Sequence, residues 1–170
     1  MKRLLPLILL IPLAWCACIS KSTVKPTTVD KGTITATIVG VDETFNISDS
    51  VYYFPKQPQT ADWVFKASGR ASNGDRIWFI IDYQAPILGG GTYNNNNDTS
   101  KPINVTMSYI MPGKQYICST PSPVSVTLTT FTSTNVQGTF SGSPANNGEV
   151  KSVTNGKFNL DFATPVTITQ

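Results

Sequence analysis

The side chains of this chain that could act as general acids or bases are mainly carboxylates, because the sequence contains no histidine. Without histidine, nucleophilic systems of the Ser-His-Asp and Cys-His types and histidine-ligated zinc are excluded. Paired carboxylates that hydrolyse glycosidic bonds remain open, since two acidic groups at a suitable separation are enough for that reaction. The acidic residues considered for such a pair are Asp62, Asp75, Asp82, Asp98, Glu149 and Asp161. Because several of them stand in turns or on polar strand faces, we predict surface roles and no catalytic residue.

Two loops have part of the pattern of a ligand site. Asn94, Asn96 and Asp98 have the first oxygen-ligand spacings of a calcium loop. No glycine stands at the sixth position of that loop, and Val105 stands where a bidentate glutamate is needed. The three glycines at 89–91 lack the lysine of a phosphate-binding loop and the helix that should follow it. We therefore predict no metal site and no cofactor.

Three tyrosines are the candidate ligand contacts. An aromatic face packs against the apolar side of a sugar ring, while the hydroxyl finds a polar partner. Most aromatic residues of the chain should form the core, but Tyr52, Tyr53 and Tyr93 lie beside predicted loops, where binding residues concentrate. We predict that these three side chains contact a ligand if the protein has one.

The N-terminus has the pattern of an export signal. Lys2 and Arg3 precede an apolar stretch at residues 4–14, which is too short to span a bilayer as a permanent helix. The segment Leu-Ala-Trp-Cys-Ala-Cys at 13–18 then resembles a lipobox, in which a cysteine after small residues is lipidated. We prefer Cys18 because Ala17 precedes it; Cys16 is the alternative, since Leu13 stands three residues before it. An ordinary cleaved signal peptide is the other interpretation.

The mature chain would carry little net charge and one cysteine. Removal of the two N-terminal basic residues lowers the formal charge from +3 to +1, and the remaining basic residues are scattered. A nucleic-acid partner is therefore not expected. With Cys18 lipidated, Cys118 has no intramolecular partner, and we predict a buried, unreactive thiol.

The remaining sequence predicts strands. Residues 33–38 alternate threonine with apolar residues, and the same two-residue period recurs to residue 162. Asn73-Gly74 and Pro112-Gly113 predict tight turns between strands. Residues 77–81 are apolar at every position, which predicts a central strand covered on both faces. We count about eight to ten short strands and no convincing helix.

These patterns predict an all-β chain, either an antiparallel β-sandwich or a sandwich-like barrel. Residues 1–18 are assigned to the signal peptide and lipidation site, residues 19–31 to a polar tether, and residues 32–170 to a single all-β domain. The length of the chain is within the range that one hydrophobic core can stabilise.

The pair Gly-Thr-Phe-Ser at 138–141 and Thr-Asn-Gly-Lys-Phe at 154–158 resembles a family of uncharacterised Bacteroidota lipoproteins. An Ala-Thr-Ile strand at 36–38 and Gly-Thr-Tyr at 91–93 are similar to that family as well. The resemblance implies a periplasmic or surface-exposed lipoprotein of the outer membrane and implies no catalytic residues. Asp49-Ser50-Val51 resembles the O-glycosylation signal of the same lineage, with Ser50 as the acceptor.

Three functions follow as hypotheses. The first is a non-enzymatic envelope lipoprotein whose β-sandwich binds a glycan or another envelope protein, or acts as a scaffold. The second is a carbohydrate-active enzyme that uses two carboxylates. The third is a structural subunit that assembles by strand addition at an open sheet edge.

Overall fold

The fold is known from a computed structural model that describes residues 32–55, 62–95, 103–118 and 122–168, without the side chains of residues 47–50. All regular structure in these residues is β. The strands are β1 Thr33–Ile38, β2 Val41–Phe45, β3 Ile47–Phe54, β4 Trp63–Arg70, β5 Arg76–Tyr83, β6 Thr92–Asn94, β7 Ile103–Met111, β8 Lys114–Cys118, β9 Val124–Phe131, β10 Asn135–Gly142, β11 Ala145–Asn146, β12 Glu149–Val150 and β13 Val153–Asp161. No helix capable of crossing a membrane occurs in the described part of the chain.

The strands form two antiparallel sheets in a sandwich-like fold, as the sequence predicts. The first sheet has the order β2-β1-β13-β10-β9-β6, and the second has the order β12-β11-β8-β7-β5-β4-β3. The described residues contain thirteen strands rather than eight to ten. The difference arises because β6, β11 and β12 have only two or three residues each, too few to show a two-residue period.

The two-residue period of the sequence becomes the two faces of each sheet, because successive side chains of a strand point to opposite sides. In β1 every second residue is buried. In β5 the inward residues Ile77, Phe79 and Ile81 are fully buried. β5 lies between β4 and β7, so its central position is confirmed. Its outward residues are half-buried, so the prediction that both faces are covered is correct only in part.

Both predicted hairpin turns are present. Asn73-Gly74 lies between β4 and β5, and Pro112-Gly113 connects β7 to β8. A further hairpin joins β1 to β2 through Val39 and Gly40, whose φ angles are 50° and 83°. Positive φ at both central residues is the geometry of a type I′ turn. Valine is a poor residue for this geometry because its branched side chain clashes there.

The Gly-Thr-Phe-Ser and Thr-Asn-Gly-Lys-Phe segments are neighbouring strands that pair glycine with phenylalanine twice. Gly138 of β10 faces Phe158 of β13, and Phe140 of β10 faces Gly156 of β13. A Cβ added at Gly138 would meet the Phe158 ring at 2.6 Å, and one at Gly156 would meet the Phe140 ring at 2.7 Å. Each ring therefore packs directly over the backbone of the opposite glycine, and the motif is explained by core packing.

These rings join the core between the sheets. The Phe79 ring of the second sheet lies 5.0 Å from the ring of Phe140 and 5.1 Å from that of Phe158, measured between centroids. Aromatic burial of this kind is the largest contribution that single side chains make to a core. The reciprocal pairs therefore connect the two sheets as well as the two strands.

Candidate ligand-binding surface

The outer faces of the two sheets differ in chemistry. Strand register places only polar side chains on the outer face of the first sheet. They are Thr33, Thr35, Thr37, Asp42, Thr44, Thr92, Asn94, Ser125, Thr127, Thr130, Asn135, Gln137, Thr139, Ser141, Thr154, Asn155, Lys157, Asn159 and Asp161. A solvated face of an antiparallel sheet is normally polar, so this face needs no ligand to explain it.

The outer face of the second sheet is apolar and aromatic at its β3 end. We name this surface the aromatic face and define it by Tyr52 and Phe54 on β3, Val64 on β4, and Trp78 and Ile80 on β5. Tyr52 is 49% exposed and Phe54 is 45% exposed. Contiguous exposed apolar surface is uncommon on soluble proteins and marks interaction sites.

Tyr52 and Phe54 form a pair of nearly parallel rings. They are two residues apart on one strand and therefore point to the same side of the sheet. Their ring centroids are 6.0 Å apart and the ring planes differ by 18°. β3 pairs only with β4 among the described strands, so the ring pair stands at the margin of the sheet.

Polar side chains interleave with the aromatic face. One cross-strand row runs Tyr52, Lys66, Ile80 and Thr106, and the next runs Phe54, Val64, Asp82 and Asn104. Each row crosses four strands, which at about 4.8 Å per strand spacing spans about 14 Å. The surface thus offers apolar contact and hydrogen-bonding groups within the same rows.

Two carboxyl groups meet at one end of this surface. Asp62 directly precedes β4, and Asp82 lies on the outer side of β5. Burial raises the pKa of Asp82, and the nearby charge of Asp62 raises it further. The Oδ1 atom of Asp62 is buried and accepts no hydrogen bond from the described residues. The acidic residues of the sequence did not reveal this pairing, because it depends on the register of β4 with β5.

The other two predicted aromatic contacts lie in the core. Tyr53 is 6% exposed and packs edge-on against Phe131, with ring centroids 5.0 Å apart. Tyr93 is also 6% exposed. Its hydroxyl donates to the carbonyl of Leu88 and accepts from the Leu88 N–H, at 3.1 and 2.9 Å. Of the three predicted tyrosines, only Tyr52 therefore presents its ring to solvent.

The ring of Tyr93 also explains the Gly-Thr-Tyr segment. A Cβ at Gly91 would lie 2.8 Å from the Tyr93 hydroxyl oxygen. A side chain at this position would displace the hydroxyl from Leu88. Like the glycine–phenylalanine pairs, the Gly-Thr-Tyr segment serves the packing of the fold and is not part of the aromatic face.

Several predicted positions lie outside the described residues. They include both candidate lipidation sites, Cys16 and Cys18, as well as Asp98. The backbone of Ser50 belongs to β3 and is opposite Ser68, but its side chain is not described. These predictions remain predictions.

A second pair of carboxyl groups, one buried and one partly buried, meets between the sheets. The Tyr109 hydroxyl lies 2.6 Å from Oδ2 of Asp75 and 3.1 Å from Oε1 of Glu43. Asp75 is 5% exposed, and its turn is closed by hydrogen bonds with Asn73. Sequence reasoning included Asp75 among the acidic candidates but missed Glu43, which reaches it from the opposite sheet.

Glu149 and Asp161 stand apart from both pairs. Glu149 bridges Lys114 and Lys151, at 3.3 and 2.9 Å, and accepts a hydrogen bond from the Tyr116 hydroxyl. These contacts, Lys151 first, lower the pKa of Glu149 to about 2. Asp161 accepts a hydrogen bond from the Asn135 amide. Both carboxylates have structural partners in the fold.

Cys118 is buried, as predicted. Its thiol lies 3.7 Å from the Pro123 carbonyl oxygen. Burial raises the pKa of this thiol to about 11. A thiol with this pKa is almost wholly protonated at neutral pH, so it is a poor nucleophile.

The outer face of the first sheet carries three shallow depressions of about 380, 280 and 300 Å³. They are continuous, because neighbouring depressions share Ser125 and Ser141 at one end and Thr139 and Lys157 at the other. Hydroxyl and amide groups and Lys157 make up much of their lining, with Phe158 at the floor of one depression and Phe140 at the floor of another, where these core rings lie beneath Gly138 and Gly156.

Comparison with known proteins adds no identification. No protein-family model, no curated protein and no solved structure matches this chain. The functional assignment therefore depends on the chemistry of the chain itself.

Proposed function

We propose that this protein is an exported lipoprotein of the cell envelope whose β-sandwich is a non-enzymatic binding module. In this proposal the chain is anchored through a lipid on Cys18, with Cys16 as the alternative, and residues 19–31 connect the anchor to the domain. The basic and apolar N-terminal segment and the lipobox-like cysteines support the anchor. The short motifs at 138–141 and 154–158 that resemble uncharacterised Bacteroidota lipoproteins are the basis for proposing an outer-membrane location.

The aromatic face carries the proposal of binding. Within one sandwich, the outer face of the first sheet is wholly polar, whereas the corresponding face of the second sheet exposes Tyr52 and Phe54 beside Trp78 and Ile80. The outer face of the first sheet shows that a sheet surface of this fold is built from polar residues where it only meets solvent. Apolar side chains on the other face therefore have a purpose besides folding, and exposed aromatic residues are typical of binding surfaces.

Site-specific photo-crosslinking in intact cells tests this proposal. A photoreactive phenylalanine analogue is placed at Tyr52 and, as a matched control, at Thr139 on the outer face of the first sheet. We expect adducts from position 52 and none from position 139. Equal labelling at both positions, or none at position 52, would contradict a binding role for the aromatic face.

The anchor has its own test. Metabolic labelling with a clickable fatty acid compares the wild type with Cys16→Ala and Cys18→Ala. Loss of label in Cys18→Ala alone supports the proposed anchor. Label that persists in both variants, or is absent from the wild type, would refute it.

Strand addition is a second candidate, because β3 is eight residues long and pairs on one side only among the described strands. Adding a strand uses backbone groups, whereas binding on the aromatic face uses side chains. Tyr52→Ser with Phe54→Ser should therefore abolish binding on the face but preserve assembly through the edge. Light scattering measures the size of the particles that the double variant forms. Assemblies as large as those of the wild type would favour strand addition at the β3 edge.

Hydrolysis of a carbohydrate by two carboxylates also remains a hypothesis. Asp62 and Asp82 are the pair that lies at the surface. Release of reducing ends from a polysaccharide by the wild type, abolished in Asp82→Asn, would favour the enzyme over the binding module.

A further inference from the structure

We infer that the aromatic face binds a carbohydrate chain, with the rings of Tyr52 and Phe54 as its stacking platform and the carboxyl groups of Asp62 and Asp82 as its hydrogen-bond acceptors. This inference rests on the proposed binding function and names its ligand class. It is drawn from three features of the face: the ring pair, the acceptor pair, and the position of Lys66 beside Tyr52.

The ring pair provides the apolar half of the contact. Tyr52 and Phe54 leave nearly half of their surface exposed, and their planes differ by only 18°. A sugar ring has an apolar face of C–H groups that packs against an aromatic ring. The similar orientation of the two rings suits neighbouring sugar units of one chain better than it suits a single small molecule.

The acceptor pair provides the polar half. Phe54 and Asp82 belong to the same cross-strand row, with Val64 between them. Asp62 lies beside Asp82, and its buried Oδ1 atom has no hydrogen-bond donor among the described residues. Two adjacent carboxyl groups favour a ligand that brings several hydroxyl donors. Neighbouring hydroxyl groups on a sugar meet that requirement without carrying charge.

Lys66 completes the set of groups on the face. It stands between Tyr52 and Ile80 in the second row, so a donor lies on the surface as well as the acceptors. A sugar hydroxyl both donates and accepts, and it can pair with either group. The rows extend over about 14 Å at the usual strand spacing, which is enough for a short oligosaccharide.

The alternative occupants match this surface less well. An acyl chain or an apolar protein segment would cover the rings but would bury the carboxyl groups of Asp62 and Asp82 without supplying any hydrogen-bond donor to them. Burying a charged group without a partner is strongly unfavourable. A carbohydrate is the class that satisfies the apolar and the polar groups together.

Glycan-array binding with ring-specific variants tests the inference. The full-length lipidated protein, held in lipid nanodiscs, is applied to an array of hexose, hexosamine and uronic acid oligomers. Binding to the best oligomer is then titrated by tryptophan fluorescence, since Trp78 lies on the aromatic face. The variants are Phe54→Leu, which keeps an apolar side chain, Phe54→Trp, which keeps an aromatic ring, and Asp82→Asn, with Thr139→Ala as the control.

The expected result is binding to one class of oligomer, weakened roughly tenfold by Phe54→Leu, at about 1.4 kcal/mol per tenfold. Phe54→Trp should bind more tightly than Phe54→Leu because it keeps an aromatic ring, Thr139→Ala should retain the wild-type affinity, and Asp82→Asn should weaken it. Equal affinity for Phe54→Leu and Phe54→Trp would overturn the stacking role, because a merely apolar contact does not need a ring. Urea unfolding of each variant excludes loss of fold as the cause.

Failure of this inference is distinguishable from failure of the proposed function. If no oligomer binds while Tyr52 still forms crosslinks in cells, the face has another occupant and the carbohydrate inference is wrong. If neither experiment gives a signal, both are wrong. If Phe54→Leu destabilises the fold as a core substitution does, by about 2 kcal/mol or more, the face is covered by the chain itself and both are again wrong.

Discussion

Replacing Glu43 by glutamine should stabilise the protein at neutral pH, because the buried cluster around Tyr109 has one hydrogen too few. The Tyr109 hydroxyl has a single hydrogen and faces two carboxyl groups, Asp75 at 2.6 Å and Glu43 at 3.1 Å. When both carboxyl groups are ionised, one of these contacts brings two acceptors together. The second oxygen of Glu43 is also buried without a partner among the described residues. A proton on Glu43 would turn the unfavourable contact into a hydrogen bond.

The pH dependence follows from the direction of the shift. Burial raises the pKa of Glu43, the hydrogen bond from Tyr109 partly offsets this, and the charge of Asp75 raises the pKa further. A folded-state pKa above the unfolded value of 4.5 means that the folded state holds this proton more tightly. The resulting stabilisation is complete below the unfolded pKa and is lost as the pH rises through the folded pKa. Above the folded pKa the ionised Glu43 therefore destabilises the fold.

Glutamine has the shape of glutamate and keeps an amide donor at every pH. The expected gain for Glu43→Gln at pH 7 is that of one restored hydrogen bond, about 1 kcal/mol in the free energy of unfolding. For a domain of this size that corresponds to about 4 °C in Tm. At pH 4, below the unfolded pKa of 4.5, Glu43 of the wild type is already mostly protonated. The gain in the free energy of unfolding should therefore disappear. Urea unfolding at both pH values, followed by tryptophan fluorescence, measures the difference.

Asp42→Asn is the matched control, because Asp42 lies on the same strand but points to the outer face, where it accepts a hydrogen bond from Thr37. This substitution removes the same charge from β2 without touching the cluster, so it should give no gain at pH 7. A loss of stability in Glu43→Gln at pH 7, or an equal gain at pH 4 and pH 7, would show that the contact between Glu43 and Tyr109 does not lack a hydrogen when Glu43 is ionised.

Three further substitutions or reactions test the fold. Val39→Asn should raise the stability by about 1 kcal/mol, since asparagine tolerates the positive φ of the turn with Gly40; thermal unfolding checks this, and a lower Tm would contradict it. Gly138→Ala should lower the stability by about 2 kcal/mol or more, because its Cβ would clash with the Thr127 carbonyl oxygen; a variant as stable as the wild type in urea would refute this packing. The buried Cys118 should react with a thiol reagent at pH 8 only as the chain unfolds, and rapid reaction of the native protein would contradict its burial.

The fold class could be predicted from the sequence because its signals are local. Alternation of apolar and polar residues fixes which side of a strand is buried, and Asn73-Gly74 and Pro112-Gly113 fix two of the turns. The turn at Val39 gave no such signal, since valine is rarely found at positive φ. The pairing of β1 with β13 was equally invisible, because it joins residues from opposite ends of the domain.

The candidate site was harder to predict, because exposure depends on what covers a sheet. The apolar residues at 77–81 predicted a strand covered on both sides, yet the outward side chains of Trp78 and Ile80 are only half-buried. Proximity to loops placed Tyr53 and Tyr93 with Tyr52 as candidates, but strand parity directs Tyr53 inward and leaves Tyr52 outside. The motifs that were easiest to see in the sequence, Gly-Thr-Phe-Ser and Gly-Thr-Tyr, form the core.

The pairing of β1 with β13 has a consequence for how the protein reaches its folded state. The first strand of the domain pairs with β2 in a local hairpin, but it acquires its second neighbour in the sheet only when the last strand is present, and the reciprocal glycine–phenylalanine pairs also require β13. Contacts between such distant parts of a chain form slowly, because a long loop must close first. A chain that is still crossing a membrane therefore cannot complete its first sheet. For a protein proposed to be exported, this means that the domain stays incompletely folded, and so able to pass through a narrow channel, until its C-terminus has emerged.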